Sequence, residues 1–142
     1  MAEQVIVDQS SDFEIEFLAS DPREPESEGF HVVHHLYDLT PYGLMLASLG
    51  ACTTILLHAY AREHEVDLDR VRIHLRYARD LRDCENCEDI DLYEEQLQEE
   101  VTLIGDLTEH EHQKLHQIGQ QCSIHRILER GIEIDSKLTN GS

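Results

Sequence analysis

PYGLMLASLGACTTILLHAYA, residues 41–61, is the stretch on which the fold turns. His58 is its only ionisable side chain besides one thiol and two tyrosines, in a chain that is otherwise heavily charged. Thr40 and Pro41 open it as a helix, with Thr as the N-cap and Pro at the first helical position, where its missing N–H is no loss. The apolar pattern carries the helix to about Glu65. Ala47, Ser48, Gly50 and Ala51 are small, so another element can approach closely there. The length of about 20 residues also suits a membrane span. However, Gly43, Ser48, Gly50, Thr53, Thr54 and His58 lower its hydrophobicity, and the nearest upstream basic residue is Arg23. Those features favour a buried core helix. Cys52 stands at its centre, either as an inert small apolar side chain or as a nucleophile held in a dry pocket.

Working outward, 142 residues fit one domain, residues 1–142, and 40% hydrophobic residues supply one modest core. Much of that apolar content lies in the single helix. One small domain has difficulty covering it on all sides, so a dimer with a shared core is expected. The net charge is -19, from 11 Lys and Arg against 30 Asp and Glu. Such a surface repels nucleic acid and anionic membrane, so neither is an expected partner. The first residues carry neither a basic start nor a long apolar run, so a cytoplasmic location is expected.

Before the helix, residues 3–9 and 12–18 read as strands. Phe13, Ile15 and Phe17 alternate with acidic residues, the period of a half-exposed strand. Residues 20–29, with two prolines and many charges, are a loop, and residues 30–37 a further strand. After the helix, Val71, Ile73, Leu75 and Tyr77 alternate strictly with Arg70, Arg72, His74 and Arg76, a strand with one basic face. Residues 80–89 form a polar loop, and residues 92–104 a long strand. Thr108 and Glu111 make a capping box for a second helix that carries Leu115, Ile118 and Cys122 at helical spacing. Gly119 loosens that helix and Gly131 stops it. Residues 131–138 read as a final strand. The order of elements makes the chain α+β, mostly antiparallel sheet around two long helices.

Four cysteines, in a chain expected in a reducing compartment, point to catalytic or metal-binding thiols rather than structural disulfides. Cys52 and Cys122, each on its own expected helix, suggest a redox pair assembled by the fold. Cys84 and Cys87 have the spacing of metal ligands, and zinc there needs two more ligands, from His74, another strand-borne His or a partner subunit. An unremarkable loop and a secondary disulfide are the other readings of that pair. His112 and His116, four residues apart, share a helix face with either a solvated or a metal-binding role. His110 lies on the same helix.

Residues 40–61 resemble the first-helix signature of the OsmC/Ohr family, the osmotically inducible and organic-hydroperoxide-resistance proteins. GQQCSIHRIL, residues 119–128, resembles that family's second signature, and DCENCE, residues 83–88, resembles a Cys-x-x-Cys loop in an OsmC-like subgroup. The likeness extends over residues 12–138 and is weakest before residue 38. It implies an intertwined homodimer with the buried helices at its centre and thiol-dependent reduction of peroxides. Cys52 matches the peroxidatic position and Cys122 the resolving one. Two positions depart from the pattern. Gly43 stands where a carboxylate is common, and Ser123 where Pro is usual. The Arg that activates the thiolate in better-studied members has only Arg23 as a counterpart in the N-terminal half.

The expected activity is reduction of organic hydroperoxides or hydrogen peroxide, with an external dithiol to recycle the protein and no bound cofactor. Peroxide reduction needs a thiolate, so a dry pocket must also hold a group that favours the anion. Arg126, one turn beyond Cys122, and a basic residue of the 70–77 strand are candidates. His125 lies over the same turn as Cys122 and serves either as a base or as a wall of the pocket. The alternative class is a non-catalytic module on the same fold, binding a metal at Cys84 and Cys87 or a small molecule at the subunit interface.

Overall fold

The alternation of residues 70–77 becomes the spine of the fold. In the computed structural model, which describes residues 2–21, 29–81 and 93–141, five antiparallel strands form one sheet. They are β1 (Ala2–Ser10), β2 (Ile15–Ser20), β3 (Phe30–Val32), β4 (Leu68–Leu81) and β5 (Tyr93–Gly105), in the order β3-β2-β1-β4-β5. β4 is paired on both sides: Val5 stands opposite Leu75 and Val7 opposite Ile73 in β1, and Val101 stands opposite Ile73 in β5. With a side-chain period of two, this register places Val5, Val7, Val71, Ile73 and Leu75 on one face, each at most 1% exposed.

Against that face lies α1 (Pro41–Glu63), capped by Thr40, whose hydroxyl accepts the N–H of Gly43. Leu46, Leu49, Leu57 and Ala61 are buried in the core. The approach is close because Gly50 has no side chain. A Cβ there would stand 2.5 Å from Val7 Cγ2 and 3.0 Å from Leu75 Cδ1. The helix is long and apolar enough to cross a membrane by length and composition, yet half of its most apolar window is already buried within its own chain. A stripe at helical spacing, Leu44, Ser48, Ile55 and Ala59, remains exposed, and partly buried Cys52 sits in the middle of it.

The remaining helices cover the C-terminal half of α1. They are α2 (Glu109–Gly119), with the expected capping box between Thr108 and Glu111, and α3 (Ser123–Arg130). The expected single second helix is thus two. The chain leaves helical geometry at Cys122, whose extended backbone makes it the N-cap of α3. Gly119 passes within 3.1 Å of Thr53 on α1, measured from the place a Cβ would occupy.

Two strand expectations shorten or fail. Residues 30–37 keep only three residues in the sheet before a 3-10 turn, Leu36–Asp38. Residues 131–138 form no strand. They are exposed, with Ile134 at 81% and Leu138 at 93%, and they pair with neither edge of the sheet. β2 begins late because Phe13, at φ 68°, occupies a tight turn in which Phe13 N–H donates to Ser10 O.

Candidate active site

The geometry of the site follows from the start of α3. The first N–H groups of a helix have no partner inside it. Here they meet sulfur. Cys122, the N-cap, accepts the N–H of His125 on its own Sγ at 3.3 Å, as a Ser or Asp cap would on oxygen. The two preceding N–H groups, of Ser123 and Ile124, approach Cys52 Sγ from across the α1–α3 contact. The Ser123 hydroxyl stands 3.7 Å from the same sulfur. Cys52 and Cys122 are close enough to influence each other's ionisation. The fold thus brings together the two thiols that the sequence singles out, and both are free.

Their environments differ. Cys52 is partly buried. Burial pushes its pKa up, but the N–H of Ile124, the hydroxyl of Ser123, the Cys122 thiol and the N–H of Ser123 together outweigh it, so Cys52 lies below the ordinary thiol value. Cys122 is 2% exposed. Burial pushes it above the ordinary value despite contacts from Thr53 and the His125 N–H. The two sulfurs are therefore shifted in opposite directions, Cys52 toward the thiolate and Cys122 toward the thiol.

A cavity of about 260 Å³, lined by neither sulfur, opens between α1, β5 and α3; its walls are Leu49, Leu97, Glu99, His125, Leu128 and Glu129. His125, on the inner side of α3, has Nδ1 2.7 Å from Glu129 Oε1 but out of line for a hydrogen bond. Glu99 carries a buried Oε2 without a partner. Burial raises its pKa, offset by His125 and His116. Glu99 is a polar group of the pocket that the sequence did not single out, because nothing local marks a buried Glu in an acidic strand.

Arg126 is exposed on α3. The basic face of residues 70–77 cannot serve Cys52. It lies on the side of the sheet away from α1, where Arg70 and Arg72 pair with Asp8, the latter at 2.9 Å, and His74 contacts Gln4. The basic residue of β4 on the α1 side is Arg79, just past the alternating run. It donates to Tyr42 OH at 2.6 Å and lies over that ring. Next to it, Glu3 Oε2 accepts the Thr40 hydroxyl at 2.5 Å. It also stands 3.4 Å from the place a Cβ on Gly43 would occupy. A carboxylate therefore occupies the region of Gly43 after all, supplied by β1. Gly43 is nine residues from Cys52, about 14 Å along the same helix.

Arg23, Cys84 and Cys87 lie outside the described residues. Among the described residues no group of three or more His, Cys, Asp and Glu is arranged to hold a metal ion, and His110, His112 and His116 form no such cluster.

No curated protein matches the sequence. In structure, the chain is similar to the crystal structure of an OsmC-like hydroperoxide resistance protein from Jannaschia sp. CCS1. The TM-score is 0.61, over 99% of this chain and 95% of that one, with 16% sequence identity, a likeness of fold. The sequence model of OsmC-like proteins matches residues 34–137, which span α1, the β4–β5 hairpin and both sulfur-bearing elements. The chain belongs to the OsmC-like family.

Proposed function

We propose that the protein is a thiol-dependent peroxidase that reduces organic hydroperoxides or hydrogen peroxide through Cys52 and Cys122. The observation that carries this reading is the unequal pair: a partly accessible sulfur shifted toward the thiolate, beside a buried one shifted toward the thiol. Family membership and the fold of a hydroperoxide resistance protein support it. The apolar side chains of the cavity between α1, β5 and α3, Leu49, Leu97 and Leu128, suit an organic substrate.

The Cys52 thiolate attacks the terminal oxygen of R–O–O–H. A sulfur–oxygen bond forms, the oxygen–oxygen bond breaks, and the alkoxide leaves to take up a proton as the alcohol. Cys52 becomes the sulfenic acid. Cys122, losing its proton as it attacks, displaces water to give the Cys52–Cys122 disulfide. An external dithiol then reduces the disulfide by exchange and leaves oxidised itself. The working unit is a homodimer, with the open stripe of α1 around Cys52 covered by the partner subunit. No cofactor takes part.

The test is mass spectrometry of the reduced protein after about one equivalent of cumene hydroperoxide, with Cys52→Ser and Cys122→Ser alongside. The expected product is a Cys52–Cys122 disulfide, with sulfenic acid trapped at Cys52 in the Cys122→Ser variant. Both thiols remaining reduced, while a free-thiol control oxidises, would sink the reading.

A further inference from the structure

A thiolate in a half-buried site needs a stabilising partner, and the partners usually invoked are cations. Among the described residues, none of the candidates above is engaged with Cys52. Arg126 is exposed, Arg70 and Arg72 are engaged with Asp8 on the far face of the sheet, and Arg79 is engaged with Tyr42 at the other end of α1. What faces the sulfur is the opening turn of α3. We propose that Ser123 is the residue that activates Cys52: its hydroxyl and its backbone N–H, with the N–H of Ile124, form a neutral cradle for the thiolate in place of a cation. This assignment rests on the peroxidase reading for its purpose, but not for its geometry.

Three features carry it. The Ser123 hydroxyl is 3.7 Å from Cys52 Sγ, within reach of an O–H···S contact. Ser123 and Ile124 are the first two residues of α3, so their N–H groups are free of intrahelical bonds and point out of the helix end. The third such N–H, from His125, is already taken by Cys122, which fixes the frame of the turn and hence the aim of the other two. The partial positive charge of the helix start adds to the effect. Among the described residues the titratable group facing Cys52 is Cys122, whose pKa burial raises. The ionisable groups on the neighbouring elements, Glu99 on β5, His116 on α2 and His125 on α3, interact among themselves.

Residue 123 is also a position where the test is clean. The first residue of a helix tolerates Pro without loss of helical geometry, so Ser123→Pro removes both the hydroxyl and the N–H while keeping the turn. Ser123→Ala removes the hydroxyl alone, and Ser123→Thr keeps both donors.

The experiment is the pH dependence of iodoacetamide alkylation at Cys52, in full-length protein carrying Cys122→Ser, which retains a capping side chain at 122. Ser123→Pro should raise the alkylation midpoint by about one pH unit, the worth of one charge-assisted hydrogen bond. Ser123→Ala should raise it by a smaller amount, and Ser123→Thr should restore it. A folded Ser123→Ala variant that titrates with the Ser123 parent would overturn the hydroxyl's role. Ser123→Pro titrating with the parent would overturn the whole cradle. If Ser123→Pro fails to fold, Ser123→Ala and Ser123→Thr still decide the hydroxyl. If the midpoints shift as expected but the protein with both thiols ignores cumene hydroperoxide, Ser123 keeps its assignment and the peroxidase reading falls.

Discussion

The Thr53 hydroxyl stands 3.4 Å from Cys122 Sγ and, in the same position, 3.0 Å from the carbonyl oxygen of Leu49. It has one proton to divide between them. While Cys122 is a thiol, the hydroxyl is shared between the Leu49 carbonyl, at the shorter distance, and the Cys122 sulfur. Once Cys122 ionises to attack, the hydroxyl must turn to the sulfur and release the helix carbonyl. Thr53 is thus placed to ease the resolving step. Thr53→Val, close in shape, removes that partner. Disulfide formation after a peroxide pulse should slow about fivefold relative to sulfenic acid formation, the equivalent of about 1 kcal/mol for a buried hydrogen bond. Stopped-flow mixing with quenched mass spectrometry separates the two steps, and equal slowing of both would remove Thr53 from the second.

The two thiols should separate on a pH axis. Cys52, held below the ordinary thiol value, should alkylate at lower pH than a free cysteine, and Cys122, lifted by burial, only at higher pH. Stability follows with opposite signs. The contribution of the depressed Cys52 is present above the unfolded thiol value and is lost as pH falls through the folded one. The contribution of the raised Cys122 is present below the unfolded value and is lost as pH rises through the folded one. Residue-resolved alkylation across pH 5 to 10 reads the order directly. Cys122 reacting first would reverse the roles assigned to the pair.

The long helix, the strands β4 and β5 and the start of α2 are legible because each rests on local signals: a Pro-started apolar run, a period of two, a capping box. The break between α2 and α3 was only half legible. Gly119 marks it, but Cys122 acting as a cap depends on an N–H three residues away and on a neighbouring sulfur. Glu3 beside Gly43, and Arg79 on the inner face of β4, were not legible at all. Their partners lie 37 residues away in sequence, and only the sheet register brings them together. The basic face of β4 was read correctly as a face but wrongly as a source of help for Cys52. Which side of a sheet the helix takes is not written in the alternation.

Gly50 should be the least replaceable small residue of α1. A Cβ there would collide with Val7 and crowd Leu75, both in the fully buried centre of the sheet. Neither can retreat in a close-packed core. Gly50→Ala should therefore destabilise by about 1–3 kcal/mol, despite the better helix propensity of Ala. Gly119→Ala, whose nearest contact would be 3.1 Å from Thr53 Cγ2, should cost less. Urea unfolding of both variants checks the order, and a neutral Gly50→Ala would mean that α1 sits farther from the sheet than described.

The tail after α3 has the alternating sequence of a strand but no strand structure. Ile132, Ile134 and Leu138 share one face at a period of two, with Glu133, Asp135 and Lys137 on the other, and the apolar three are 63%, 81% and 93% exposed. Three large apolar side chains on a segment outside the sheet and helices are a poor end state in water, because they lack a packing partner. The exposed Leu44 and Ile55 of α1 make a second uncovered surface around Cys52. A second copy of the chain can cover both. The full chain should therefore run as a dimer by light scattering at micromolar concentration. Ile132→Glu with Ile134→Glu, or truncation after Gly131, should weaken the dimer by tenfold or more, since each buried Ile contributes about 1.5–3 kcal/mol. If Cys52 works inside the shared core, peroxide reduction should fall with protein concentration in step with dimer dissociation. A monomeric full chain, or a truncated one that dimerises as tightly, would leave the tail without this role.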